Sequence, residues 1–117
     1  MKCIINDTNI WIDLKTADIM EKIFNLPYKI VCPDILFYDE LINNEGDLLL
    51  SFGIEILELN NMEMQEVENF SNENRSISFN DTTAFILAKN RKYTLVTGDK
   101  ALRKIAGRNN VEYKETI

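Results

Sequence analysis

Met1-Lys2-Cys3-Ile4-Ile5-Asn6-Asp7-Thr8-Asn9 opens the chain. Three apolar residues, Cys3 to Ile5, run straight into polar groups, and apolar character resumes at Trp11, Ile12 and Leu14. A short apolar run with polar residues at its C-terminal end reads as a buried parallel strand. In open α/β sheets, ligands bind beyond the carboxyl ends of such strands. The reading therefore puts Asp7 where a ligand is met.

Further along, the same pattern recurs. Lys29 to Cys32 reads as a strand ended by Pro33, Ile54 to Leu59 as an alternating, half-exposed strand after Gly53, Thr94 to Thr97 as a fourth, and Val111 to Tyr113 as a fifth. Helical patterns fill the gaps. Thr8 or Asn9 is expected to cap a short helix through Leu14, and Ala17 to Phe24 forms the next. Asp34 to about Asn43 is helical, with Ile35, Leu36, Tyr38, Leu41 and Ile42 on one apolar stripe. Asn43-Asn44-Glu45-Gly46 is a break, and Asp47 to Phe52 makes another helical turn or two. Asn60 or Asn61 caps an acidic helix to about Asn72. Ser78 opens one that runs to about Arg91, and Ala101 to Gly107 is short and basic. No closing helix is read after the fifth strand. Strands alternating with helices predict parallel pairing through right-handed crossovers. At 117 residues the expectation is a single domain, residues 1–117.

Composition removes several function classes. The chain has no histidine, which excludes Ser-His-Asp triads, histidine metal sites and histidine acid–base chemistry. Catalysis here must rest on carboxylates, and a cluster of these recruits a hard cation. Cys3 and Cys32 both sit in apolar runs and read as buried reduced thiols without zinc-site spacing. No apolar run nears the roughly 20 residues of a membrane helix, and the N-terminus lacks a signal-peptide layout, so a cytoplasmic protein is expected. Residues 1–74 hold four Lys/Arg against fifteen Asp/Glu, net -11, while residues 75–117 hold nine against four, net +5. The acidic total argues against general nucleic-acid affinity, but the basic third leaves room for a local phosphate-binding face or an ordinary solvated one.

Asp7 and Asp99 each end an apolar run, and on parallel strands both carboxylates fall on one rim of the sheet. Gly98 before Asp99 is read as permitting a tight turn and close backbone approach. Each Asp alone reads more readily as a helix N-cap than as a ligand. Ser78-Phe79-Asn80-Asp81 is close to a capping box and is locally explained without function. Glu40 stands near the edge of its helix's apolar stripe, with Asp39 as a competitor. The set of four acids at 7, 40, 81 and 99 is what points to chemistry. Two carboxylates about 4 Å apart repel by roughly 4 kcal/mol at an effective dielectric near 20. Gathered acids therefore need a cation or a proton, and an all-oxygen site suits Mg²⁺ or Mn²⁺.

Ile4-Ile5-Asn6-Asp7-Thr8-Asn9, Asp39-Glu40-Leu41, Ser78-Phe79-Asn80-Asp81 with Leu87-Ala88, and Leu95-Val96-Thr97-Gly98-Asp99-Lys100-Ala101-Leu102-Arg103 together resemble the PIN-domain nucleases. The resemblance spans nearly the whole chain in order. It implies a three-layer α/β/α sandwich with a central parallel sheet of four to five strands, and Mg²⁺- or Mn²⁺-dependent endonucleolytic cleavage of RNA. The family's catalytic and metal-binding acids map onto Asp7, Glu40, Asp81 and Asp99. Thr8 or Asn9, and Thr97, match its supporting positions. Many small bacterial members are VapC-type toxins, so the implied partners are RNA, an antitoxin protein and a second copy of the chain in a dimer. One or two cations on the acids activate a water toward the phosphodiester and offset charge on its oxygens. Lys100, Arg103 and Lys104 share a helical face and are read as RNA-phosphate contacts or, equally, as solvated surface. The alternative is a catalytically silent module of the same fold that binds protein or RNA. A phosphatase is disfavoured, because Asp7-Thr8-Asn9 lacks a second Asp two residues on and there is no P-loop.

Overall fold

The structure is a computed structural model that describes residues 2–13, 17–43 and 46–115. Its strands are β1 (Lys2–Asn6), β2 (Tyr28–Pro33), β3 (Glu55–Leu57), β4 (Thr94–Val96) and β5 (Tyr113–Lys114). They pair in parallel in the order β3-β2-β1-β4-β5. The connections carry α1 (Thr8–Asp13), α2 (Ala17–Phe24), α3 (Asp34–Leu36, continuing as a π-helical turn over Phe37–Leu41) and α4 (Gly46–Phe52). After β3 come α5 (Asn61–Glu73) and α6 (Phe79–Arg91), and α7 (Lys100–Arg108) joins β4 to β5. The architecture is α/β, a parallel sheet of five strands between layers of helices, as the sequence predicts.

β1 is central because it is apolar on both faces. Ile4 and Ile5 are fully buried, and they lie in register with Ile30 and Val31 of β2 and with Thr94 and Leu95 of β4. Burying each such aliphatic side chain stabilises the fold by about 1.5–3 kcal/mol. The chain steps from β1 outward to β2 and β3, then returns to the other side of β1 at β4. Right-handed crossovers taken in opposite directions lay their helices on opposite faces of the sheet. α6 lies across β2, β1 and β4 beneath α5, and nine consecutive residues, Asn80 to Ala88, are buried. That burial explains its low amphipathicity: a helix covered on both sides needs no polar stripe.

Several boundaries differ from the sequence reading. The third strand is three residues, because only Glu55–Leu57 finds a ladder against β2. Gly53 supplies the turn before it at φ 101°, a backbone position that favours glycine. The fifth strand is Tyr113–Lys114, shifted beyond Val111, which instead buries its side chain. The expected Asp34–Asn43 α-helix turns π-helical after one turn, which buries Phe37 and leaves Tyr38 63% exposed, off the predicted stripe. Cys32 is buried and burial pushes its thiol pKa up, whereas Cys3 is only partly buried; both are free thiols. Leu14, Asn44 and Glu45, which figured in the predicted helix end and break, lie outside the described residues. No helix among the described residues is long and apolar enough to cross a membrane.

Candidate active site

The order β3-β2-β1-β4-β5 makes β1 and β4 neighbours whose connections depart in opposite directions. A crevice opens where strand order reverses in this way. Asp7 is the first residue beyond β1 and is fully buried in it. Its backbone N–H donates to the Val96 carbonyl at 3.0 Å, extending the ladder one residue past the strand. Asp7 Oδ1 accepts the Ile10 N–H at 2.9 Å, and Oδ2 accepts the Thr97 hydroxyl. Asp7 thus caps α1 itself, where the sequence pointed to Thr8 or Asn9. Its carboxylate reaches the third N–H of the helix, as a cap must.

Asp81 arrives from another element. Ser78 Oγ accepts the Asp81 N–H at 3.1 Å, so half of the expected capping box forms. The other half does not. Asp81 Oδ1 instead accepts the Thr8 N–H at 2.9 Å, across 73 residues of chain. Thr8 N–H is one of the donors a helix start leaves unsatisfied, so this bond costs α1 nothing and fixes Asp81 beside Asp7. Asp99 completes the row. Its N–H donates to Thr97 Oγ1 at 3.0 Å, and its Oδ1 caps α7 through Ala101 N–H at 2.8 Å and Leu102 N–H at 3.2 Å. A thread of hydrogen bonds, with the Asp7–Thr8 peptide bond as one link and the Asp99 N–H as its end, therefore runs Asp81–Thr8–Asp7–Thr97–Asp99. Burial raises the Asp7 carboxyl above its ordinary pKa. The Thr97 hydroxyl and Ile10 N–H pull it back, and the charges of Asp81 and Asp99 push it further up.

Glu40 is tied to the sequence neighbour of Asp81. Asn80, next to Asp81 on α6, donates from one amide nitrogen to Glu40 Oε1 and to Asp39 Oδ2, each at 2.8 Å. The two acids sit in the π-helical turn, Asp39 exposed and Glu40 half-buried. The sequence left them as competitors, and here they share one donor. Asn80 went unread because an amide inside a capping motif looks local.

The supporting positions separate. Thr97 is buried between two of the acids and bonds both. Thr8 contributes its backbone, while its buried hydroxyl finds no protein partner. Asn9 is exposed. Asn6, absent from the predicted site, is fully buried with both amide atoms unpartnered immediately before Asp7. A polar side chain closing an apolar strand was its only signal. Gly98 makes no close approach: a Cβ there would meet no heavy atom within 4 Å, and its φ is not positive. Lys100 and Lys104 are exposed on α7, and Arg103 of the same face pairs with exposed Glu115 at 2.7 Å.

The donor set is chemically suited to a hard divalent cation: a buried Asp7 carboxyl raised by burial and by the charges of Asp81 and Asp99, with orphaned oxygen-bearing side chains of Asn6 and Thr8 beside it. Among the described residues, no three or more such side chains are already arranged as an ion cage. In both Asp81 and Asp99 it is Oδ1 that takes the backbone donors. No family model and no curated protein matches the chain.

Proposed function

We propose that this chain is a PIN-like, Mg²⁺- or Mn²⁺-dependent endoribonuclease, of the kind that serves as the toxin of a toxin–antitoxin pair. The observation that carries the reading is the thread Asp81–Thr8–Asp7–Thr97–Asp99, which draws three acids from three parts of the chain to one rim. Asp7 is fully buried and Asp81 is buried beside it, and burial among like charges is tolerated poorly without a counter-charge. Asp7, Asp81 and Asp99 would hold the cation, with Glu40 reaching the same rim from its Asn80 tether. When bound, the cation supplies a water of lowered pKa and a counter-charge for the phosphate oxygens. Thr97 keeps Asp7 oriented by donating to it, and Asp7, Asp81 and Asp99 hold their positions through the helix starts they cap or contact. Lys100 and Lys104 are placed to meet RNA phosphate, each adding a salt-sensitive contribution.

Asp7→Asn keeps an oxygen acceptor for Ile10 N–H and removes the charge. It is expected to lower Mn²⁺-dependent RNA cleavage about a thousandfold or more while the protein stays folded. A mutant that cleaves as well as the parent refutes the reading. The second reading, a silent binding module, is favoured by one observation: Asp7, Asp81 and Asp99 all serve as hydrogen-bond acceptors for helix starts. A purely structural role predicts RNA or protein binding that is indifferent to divalent metal.

A further inference from the structure

A groove of about 560 Å³ lies beside the Asn80 arm of the site, lined by Ile35, Tyr38, Asp39, Ser78, Phe79 and Asn80. Two of its walls are aromatic rings that the fold leaves in solvent, Tyr38 at 63% and Phe79 at 40% exposure. Phe79 is the first residue of α6, and Tyr38 sits in the π-helical turn, a distortion that often marks a functional position. Tyr38 is also braced. Its ring stands edge-on to buried Phe37, 5.3 Å between centroids and 88° between planes. An exposed ring held this way loses little freedom when a flat ligand stacks on it.

We propose that this groove is a nucleobase subsite, taking a base with an exocyclic amine from a single-stranded RNA, next to the bond that is cleaved. The proposal rests on the ribonuclease reading and names the substrate feature that reading leaves open. Aromatic side chains recognise RNA by stacking on bases that are not already paired, which selects single strands over duplex. The groove's charge selects the part of the nucleotide. Asp39 and the adjoining Glu40 repel phosphate, so the base enters the groove and the phosphate stays outside it. Asn80 occupies Oδ2 of Asp39, which leaves Oδ1 as the acceptor for a base amine. A carboxylate in that position accepts from an amine such as cytosine N4 and rejects the carbonyl that uracil presents there. The groove and the acids are coupled through one side chain, because Asn80 lines the groove and bonds Glu40.

The test measures binding of short labelled single strands of oligo(C) and oligo(U) by fluorescence anisotropy, in an Asp7→Asn background so that bound RNA persists. Tyr38→Ala and Phe79→Ala are each expected to weaken oligo(C) binding about tenfold. Tyr38→Phe should retain it. Tyr38→Leu and Phe79→Leu, which keep bulk and lose the ring face, should behave like the alanines, with unchanged melting as the check on folding. Oligo(C) should bind tighter than oligo(U), and Asp39→Ala should erase the difference. The proposal is overturned if the alanine variants bind as tightly as their background, if duplex binds as well as single strand, or if no oligonucleotide binds; the first of these is also what a protein-docking groove would give. Ring-dependent binding with a parent chain that never cleaves RNA refutes the nuclease reading and leaves the subsite standing. Cleavage by the parent with ring-independent binding does the reverse.

Discussion

Two helix starts in this protein use the same local grammar to different ends. At α5, Asn60 Oδ1 accepts Glu63 N–H at 2.8 Å and Glu63 Oε1 accepts Asn60 N–H at 3.0 Å, a complete reciprocal box. Arg91 then closes on the Glu63 carboxylate at 2.8 Å. At α6, Ser78 makes its half of the box, but the Asp81 carboxylate leaves its own helix for the N-terminus of α1. Electrostatics follow the geometry. Burial opposes the Glu63 charge, yet Arg91 and the Asn60 N–H outweigh it and hold the carboxyl below its ordinary pKa. At the rim, burial and neighbouring acids leave the Asp7 carboxyl above its own. One cap is satisfied within itself and serves stability. The other exports its acid to the rim beside Asp7, the feature on which the proposed activity rests.

The largest expected effect that separates the two is on activity. Asp81→Asn keeps an acceptor for Thr8 N–H and should still lose RNA cleavage about a thousandfold, while Glu63→Gln should cleave as the parent does. Stability should show the opposite order. Glu63→Gln keeps both bonds of the capping box but removes the charge of a nearly buried carboxylate paired with Arg91, and is expected to cost about 2 kcal/mol in chemical denaturation. Asp81→Asn should cost less than half that, because its hydrogen bond survives and it gives up no ion pair among the described residues. Equal stability losses, or a cleavage defect in Glu63→Gln, would erase the distinction.

A smaller effect is the sign of the pH dependence. The native Asp7 carboxyl titrates above its unfolded value, so its ionisation removes stability as pH rises from that value through the raised native one. Asp7→Asn should therefore be more stable than the parent at neutral pH, and the gain should vanish as pH falls below about 4. Native Glu63 titrates below its unfolded value, so its contribution is complete above that value and is lost as pH falls through the lowered native one. The Glu63→Gln deficit should thus shrink in acid. Two difference curves of opposite sign that converge at low pH are the expected result; curves of like sign would contradict the electrostatic contrast.

What the sequence revealed were the locally coded parts. The strand ends at Asp7 and Asp99 were readable because an apolar run stopping at an acid is a local pattern, and the Ser78 cap and the α/β alternation are likewise local. Strand order was not, since nothing near Ile4 or Leu95 encodes that β1 and β4 are neighbours. Yet that adjacency is what sets Asp7 against Thr97. The destination of Asp81 was hidden for the same reason: a capping box and a half-box with an exported carboxylate share one sequence pattern. The π-helical turn followed from burying Phe37, a packing choice that moved Tyr38 off the predicted stripe and into solvent. The Arg103–Glu115 pair was hidden for the same reason, since it depends on where the chain runs beyond β5.

Thermal melting with increasing Mn²⁺ asks most directly whether Asp7, Asp81 and Asp99 share one ion. Binding to the native state alone adds RT ln(1 + [L]/Kd), about 2.7 kcal/mol at a hundredfold excess over Kd. The parent is expected to gain several degrees at millimolar Mn²⁺, with the gain lost in Asp81→Asn and kept in Glu63→Gln. A melting curve that millimolar Mn²⁺ leaves unmoved, or a gain that Asp81→Asn retains, would show that the three acids do not hold a cation together.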